Sequence, residues 1–292
     1  MGCGRDKIRW LQKESFVRPM PPRTRSPAVV TAWGVLTLAT FVAAGPVNSH
    51  EFWLEAIEYT PKTGASVPIV FRNGQGFIGD SYPYLRKLAK RFTVTDTKGD
   101  RGIKAIEGDD PAGEVKFAQP GLAIVAYQSN PETVTFDTFA RFLDNLKEEG
   151  LEALGALHQQ QGKPASGIRE LFTRHAKALV QVGNGPGNDR PLGLPLELVA
   201  ETNPYLAAPG SPITVRLLHN GRPLAGTMLK TFHLKDAQSP RRVRTDAEGR
   251  ATIELPLAGE YLINAVHMLE PRPADKAHWF SLWASLTFDR PR

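Results

Sequence analysis

The sequence predicts a mainly β protein that consists of two β-sandwich domains, with a helical insertion in the first. Short runs with a period of two are separated by Gly- and Asp-rich turns along most of the chain. One central stretch changes to a helical period. The last part, about 95 residues long, holds seven short strand-like runs, which is typical of a β-sandwich. With 292 residues, of which 41% are hydrophobic, the chain is long enough for two cores.

The predicted strands of the first domain lie between residue 50 and residue 128. Phe92 and Val94 mark one of them, and the apolar run Leu122–Tyr127 marks the clearest. Turn-forming clusters such as Asp96–Asp100 separate the strands. The five predicted strands are 50–59, 67–73, 91–96, 114–118 and 121–128.

The helical insertion is predicted at about 134–182. Three stretches carry apolar residues three and four positions apart, the spacing of one face of a helix. The second stretch lies around 151–158. The first has Phe136, Phe139, Ala140 and Leu143 on its face, and the third has Ile168, Leu171, Phe172, Ala176 and Leu179.

A Gly/Pro-rich connector at 183–195 is the predicted boundary between a first domain at 50–190 and a second at 194–292. After the connector the pattern is almost purely β. Asn220-Gly221 is among the turn signals that separate the strands. The predicted strands are 196–201, 213–219, 227–234, 241–245, 250–255, 260–268 and 279–288.

The basic character of the chain is concentrated at its start. The chain has 36 basic and 30 acidic residues, of which seven basic and two acidic ones lie in 1–49. Residues 50–292 therefore contain 29 basic and 28 acidic residues. A remaining net charge of +1 argues against a nucleic-acid partner. The single cysteine, Cys3, also lies in 1–49. The rest of the chain therefore offers no disulfide, cysteine zinc site or catalytic thiol.

Residues 1–49 have the pattern of a signal peptide. The apolar stretch 29–45 follows Arg23 and Arg25, and Val47-Asn48-Ser49 suits cleavage before His50. An uncut membrane anchor is the alternative, although seventeen apolar residues are fewer than the roughly 20 that span a bilayer. Because 1–19 is long for the charged segment, Met20 is an alternative start. We expect a mature periplasmic protein that has no membrane span after cleavage.

Cleavage before His50 would give one residue both a free α-amine and an imidazole. The amine has an ordinary pKa of about 8, so it can release its proton to a metal near neutral pH. Two adjacent nitrogens form a chelate suited to Cu(II) or Ni(II). The alternative is that cleavage exposes a histidine without a function.

His267 is the second candidate metal ligand. With Met268 it offers an imidazole and a thioether, which suit softer metals and copper especially, whereas the alternative is an ordinary strand end. His175 is expected to be a partly buried histidine on the third helix, and His219 an exposed one beside a turn. The histidines form neither H-x-x-x-H nor H-E-x-x-H, so zincin-type hydrolysis has no support.

The segment Gly74–Gly79 matches G-x-G-x-x-G, the phosphate-binding pattern of dinucleotide sites. Such a site needs a helix that opens directly after the glycines, and Pro83 argues against one. We therefore interpret the segment as a loop at a strand end that is able to border a ligand site.

Two sets of motifs resemble known families. Three turn-and-strand blocks, Gly221–Gly226, Thr245–Ala251 and Leu257–Tyr261, resemble transthyretin-like and carboxypeptidase-regulatory-like β-sandwiches. The predicted mature start His50–Glu55 and the end Trp279–Phe288 resemble an exported bacterial family named as a nickel-uptake substrate-specific component. The first resemblance implies a transthyretin-like second domain, and we expect this domain to pack against an immunoglobulin-like first domain.

The second resemblance covers nearly all of 50–288 and implies metal handling beside a membrane transporter for nickel or cobalt. His50 matches the family's histidine after the signal peptide, and His267 resembles a histidine-containing strand end. The resulting hypothesis is a non-enzymatic accessory protein that captures or delivers nickel or cobalt, with copper as a further possibility. Two alternatives stay open: a module that binds a peptide, glycan or envelope protein, and a copper oxidase that uses an N-terminal histidine brace.

Overall fold

The computed structural model describes residues 50–291, so the predicted signal peptide at 1–49 lies outside the described residues. The described chain is mainly β, as predicted, with seventeen strands in three sheets and two α-helices. Two short 3₁₀ turns, Leu234–Asp236 and Pro273–Asp275, complete it. None of its helices is long and apolar enough to cross a membrane.

The strands form an N-terminal, a central and a C-terminal sheet. The N-terminal strands are β1 (Glu51–Ala56), β2 (Ser66–Gln75), β3 (Ile78–Tyr82) and β6 (Gly113–Lys116). The C-terminal strands are β10 (Leu196–Ala200), β11 (Ile213–His219), β12 (Arg222–Pro223) and β15 (Arg250–Ile253). The central strands are β4 (Ala89–Asp96), β5 (Gly99–Gly102), β7 (Gly121–Ser129), β8 (Glu132–Phe136), β9 (Ile168–Val182), β13 (Met228–His233), β14 (Arg241–Arg244), β16 (Gly259–Leu269) and β17 (Trp279–Arg290).

The order of the strands differs between the three sheets. The N-terminal sheet has the order β1-β2-β3, with β6 also paired to β2, and the C-terminal sheet has the order β10-β11-β12, with β15 also paired to β11. The central sheet has the order β14-β13-β16-β17-β9-β7-β4-β5, with β8 also paired to β9.

The two outer sheets cover opposite faces of the central sheet. Successive side chains of a strand point to opposite faces. In β9, Ala178 and Val180 pack with Phe52 of the N-terminal sheet, whereas Leu179 packs with Val215 of the C-terminal sheet. Two β-sandwich cores result, and they share the central sheet.

The central sheet takes strands from both sides of the predicted boundary at 190–194. β9 lies antiparallel to β7 and parallel to β17, with Ala178 opposite Val125 on one side and Thr287 on the other. The division into domains at 50–190 and 194–292 stays a prediction, but one continuous sheet crosses it.

The helical insertion is shorter than predicted. Its helices are α1 (Phe139–Glu148) and α2 (Ala153–Gln160), and the side chain of Thr138 caps α1 by accepting the Arg141 N–H. The buried face of α1 carries Phe142 and Leu146, whereas Leu143, which was expected on that face, is exposed. These helices pack beside β17 in a small cluster with Trp279.

The prediction of a third helix is wrong, because residues 168–182 form strand β9. A strand buried on both faces has apolar residues at consecutive positions, and such a run contains the helical spacing by coincidence. His175 is accordingly a buried residue of a central strand and not of a helix face.

A buried ion network fixes the connector 183–195 to β9. The Lys177 ammonium lies 2.7 Å from Asp189 and 3.3 Å from Glu197, and all three side chains are at most 2% exposed. Glu197 also accepts the backbone N–H groups of Leu192, Gly193 and Leu194 at 2.7–3.1 Å. Removal of one partner of such a network leaves uncompensated charge in the core.

We therefore expect Lys177→Met to lower the free energy of unfolding by roughly 3–5 kcal/mol, because two buried carboxylates lose their counter-charge. Urea denaturation measures this loss. Lys62→Met, at an exposed position, is the control and should change stability by less than about 0.5 kcal/mol. A loss below about 1 kcal/mol in Lys177→Met would show that Asp189 and Glu197 are not left as uncompensated buried charges.

Glu170 is a buried acid that has no cationic partner within residues 50–291. It lies on β9, is fully buried, and accepts a hydrogen bond from the Ser281 hydroxyl, which itself accepts the Trp283 indole N–H at 2.9 Å. Burial raises the pKa of Glu170 from 4.5 to about 7, against the opposing effect of the Ser281 and Trp283 hydrogen bonds. The folded state therefore binds the proton of this carboxyl more tightly than the unfolded state.

This pKa difference predicts that Glu170 costs stability as the pH rises from about 4.5 to about 7. Glu170→Gln removes the ionisation and keeps the shape, so we expect the variant to be more stable than the parent by up to about 3 kcal/mol at pH ~8. The difference should disappear near pH ~4. Chemical denaturation across this range is the measurement, with exposed Glu254→Gln as the control. A difference that stayed constant with pH would exclude a titration of Glu170.

Candidate functional site

A cavity of about 500 Å³ lies beside the first residue of the described chain. His50 lines it directly before β1, and Glu148 reaches it from the end of α1. Lys230 of β13 and the exposed Arg242 of β14 contribute positive charge. We call it the His50 cavity. It collects side chains from the N-terminal sheet, the central sheet and the helical insertion.

Two buried carboxylates hold the Lys230 ammonium at this cavity. Its Nζ lies 2.9 Å from Glu51 and 2.6 Å from Glu149, and these side chains are 2–3% exposed. Burial raises the pKa of Glu149 to about 7, although Lys230 acts in the opposite direction. Burial on its own would lower the pKa of Lys230, but Glu149 and Glu51 outweigh it and raise that pKa. The lysine is therefore charged and compensated.

Glu148 completes an acidic set. One carboxylate oxygen from each of Glu51, Glu148 and Glu149 lies within 4.8 Å of the others, which is the only group of three possible metal ligands among residues 50–291. Gln75 donates a hydrogen bond to Glu148 at 2.9 Å and fixes its side chain at the cavity. Because Lys230 pairs with Glu51 and Glu149, Glu148 is the member of this set that makes no ion pair among the described residues.

The G-x-G-x-x-G segment forms one wall of the cavity. It is the tip of the β2–β3 hairpin, in which Gln75 pairs with Ile78 and both central residues, Gly76 and Phe77, have φ near +64° (65° and 63°). A two-residue turn of this kind requires left-handed backbone, which glycine adopts readily and phenylalanine does not. A strand and not a helix follows the glycines, as the interpretation as a loop requires, whereas the bordering of a ligand site stays a prediction.

Burial of the Phe77 ring offsets its unfavourable backbone. The ring is 4% exposed, contacts Trp53 edge to face at 5.5 Å between centroids, and packs against Phe232 of β13. The hairpin is thereby attached to the central sheet, and its backbone keeps one position at the cavity.

His50 and His267 lie in different surroundings. His50 is the only histidine that lines the cavity among the described residues, so a histidine brace lacks its second histidine there. His267 lies on β16, and its ring contacts His219 of β11 at 4.9 Å between centroids. Met268 points to the opposite face and packs near Trp279, so the expected imidazole–thioether pair does not share one face.

The surroundings of His267 keep its ring neutral. Burial and then the neighbouring His219 lower the pKa of His267 to about 4, and burial lowers the pKa of His219 as well. His219 is partly buried and not exposed as predicted.

Lys230, Glu51 and Glu149 were not found from the sequence. Glu51 was a visible signal, because it is an acidic residue directly before the apolar run Phe52–Leu54 of a predicted strand. Its partners lie 98 and 179 residues away along the chain, and no spacing rule connects them.

Comparison with known proteins gives a family and a weak structural likeness. No curated protein matches the chain significantly. Among solved structures, the D0-D1 domain of intimin has 13% sequence identity and a TM-score of 0.20 over 82% of this chain and 97% of its own. At that TM-score we base no conclusion on the likeness. A family model described as "Domain of unknown function (DUF4198)" matches residues 47–269, most of the chain. The chain is therefore a member of the DUF4198 family.

Proposed function

We propose that this protein is a periplasmic metal-binding accessory protein that captures nickel or cobalt and delivers the ion to a membrane transporter. The observation that carries the proposal is that His50, the predicted first residue of the mature chain, lines the same cavity as the Glu148 carboxylate. The resemblance of the mature start and of the C-terminal strand to a nickel-uptake component supports the choice of metal.

The proposed ligands are the α-amine and imidazole of His50 and the carboxylate of Glu148. Two nitrogens and one oxygen suit Ni(II), Co(II) or Cu(II), whereas Mg²⁺ and Ca²⁺ prefer oxygen ligands alone. Each donor binds a metal in its deprotonated form, so binding releases protons and depends on pH.

The charge around the cavity is compatible with a cation. Glu51 and Glu149 compensate Lys230, and Arg242 is exposed, so solvent and salt screen its charge. Glu148 then supplies a negative charge beside the two nitrogens of His50. His267 does not line this cavity, so it is not a ligand in the proposed site.

Capture and delivery fit this site better than turnover by a copper oxidase. A histidine brace needs two histidines, and His50 is the only one lining the cavity in the described chain. We therefore expect reversible binding of the ion without oxidation of a substrate.

Calorimetric titration of the processed protein with Ni(II), Co(II) and Cu(II) tests the site. One alanine inserted before His50 separates the α-amine from the imidazole, and Glu148→Gln removes the carboxylate charge. We expect each change to weaken nickel or cobalt binding at least tenfold, equivalent to about 1.4 kcal/mol. Glu152→Gln, at an exposed position on the same helical insertion, is the matched control and should bind as the parent does.

Unchanged affinity in both variants would refute this ligand set. Absence of metal binding together with specific capture of a peptide, glycan or envelope protein would favour the alternative binding module. Sequencing of the exported protein's N-terminus is needed beforehand, because any first residue other than His50 removes the amine–imidazole chelate.

A further inference from the structure

Two histidines from facing sheets meet at one end of the second sandwich core. His219 is the last residue of β11 in the C-terminal sheet, and His267 lies near the end of β16 in the central sheet. Their rings lie 4.9 Å apart between centroids, with 62° between the ring planes. Both side chains are partly exposed, so a small ion has access from solvent.

The separation of the rings agrees with two ligands of one metal ion. A metal–nitrogen bond of about 2.05 Å places the centre of an imidazole roughly 3.2 Å from the metal. Two such rings with centres 4.9 Å apart subtend an angle of roughly 100° at the metal, near the tetrahedral value. A linear arrangement would need a separation of roughly 6.4 Å, which this pair does not have.

The backbone holds His219 in place. His219 pairs with Arg222 across a two-residue turn in which Asn220 and Gly221 have φ of 50° and 74°. This is the left-handed backbone that a tight hairpin turn requires. The ring of His219 therefore projects from a rigid hairpin and not from a long loop.

Asn220 supplies an outer contact to the same ring. Its side-chain amide lies 3.0 Å from Nε2 of His219. The observed contact joins Nδ2 of Asn220 to Nε2, so the amide donates; for Nδ1 to bind a metal, the amide has to turn over so that its oxygen accepts a proton from Nε2. A second contact that fixes the free nitrogen is the usual companion of a metal-binding histidine.

We propose that His219 and His267 form a second metal site, which binds a tetrahedral divalent ion such as Zn(II) with water molecules as the remaining ligands. The site is separate from the His50 cavity and does not depend on cleavage of the signal peptide. Two imidazoles and water form an open coordination shell, so bound metal is able to exchange or to accept a further ligand.

Imidazole ¹⁵N NMR of the whole protein during titration with Zn(II) tests this proposal. We expect the ring nitrogens of His219 and His267 to shift together and to saturate at one equivalent for this site. The shifts should persist when an alanine is inserted before His50, so failure of the proposed His50 site and failure of this one are distinguishable.

Three single variants complete the test. His219→Gln and His267→Gln should each lower the affinity of this site for Zn(II) at least tenfold, and the double variant should lose little more, because either change removes the same chelate. His278→Gln is the control, since His278 accepts the Arg169 backbone N–H at 2.8 Å and is not part of the pair. The proposal is wrong if Zn(II) shifts the nitrogen signals of neither ring or of only one ring. It is also wrong if the single variants bind Zn(II) with an affinity within twofold of the parent's. The NMR result on the unsubstituted protein decides the matter if a variant fails to fold.

Discussion

The parallel pairing of β9 with β17 is the constraint on which the rest of the structure depends. These strands are separated by almost 100 residues, and their nine paired positions join the N-terminal and C-terminal halves in one sheet. Parallel neighbours require a long crossover, and such sheets are usually covered on both faces. Here the N-terminal and C-terminal sheets provide that cover, which explains why both faces of β9 are apolar and why the two cores are adjacent.

Two buried lysines connect elements that are far apart in sequence. Lys177 joins β9 to the connector through Asp189 and Glu197, and Lys230 joins β13 to β1 and to the end of α1 through Glu51 and Glu149. A buried ion pair adds little net stability, because the cost of desolvating the two charges cancels most of their attraction. An incorrect arrangement of the strands, however, would leave a buried charge without its partner. We infer that these networks select one arrangement of the sheets around the His50 cavity.

The sequence predicted the β class and most strands, because alternation and turn residues are local signals. It predicted a loop and not a dinucleotide site at Gly74–Gly79 for the same reason. It failed at 168–182, where a strand covered on both faces lacks alternation, and at the face of α1. The contacts of Lys230 and the meeting of His219 with His267 arise from strand pairing over long separations, which single-sequence patterns do not encode.

If the predicted cleavage before His50 takes place, the position of Glu51 sets its order relative to folding. The bond predicted to be cut, between Ser49 and His50, lies one residue before a side chain that is locked into the core by Lys230. A peptidase needs several residues on both sides of the bond it cuts to be extended and accessible. Once β1 has paired with the sheet, the residues after this bond are no longer accessible. Leader removal would therefore have to come before this strand joins the sheet. A molecule that folded before this cleavage would keep the predicted leader attached beside the His50 cavity.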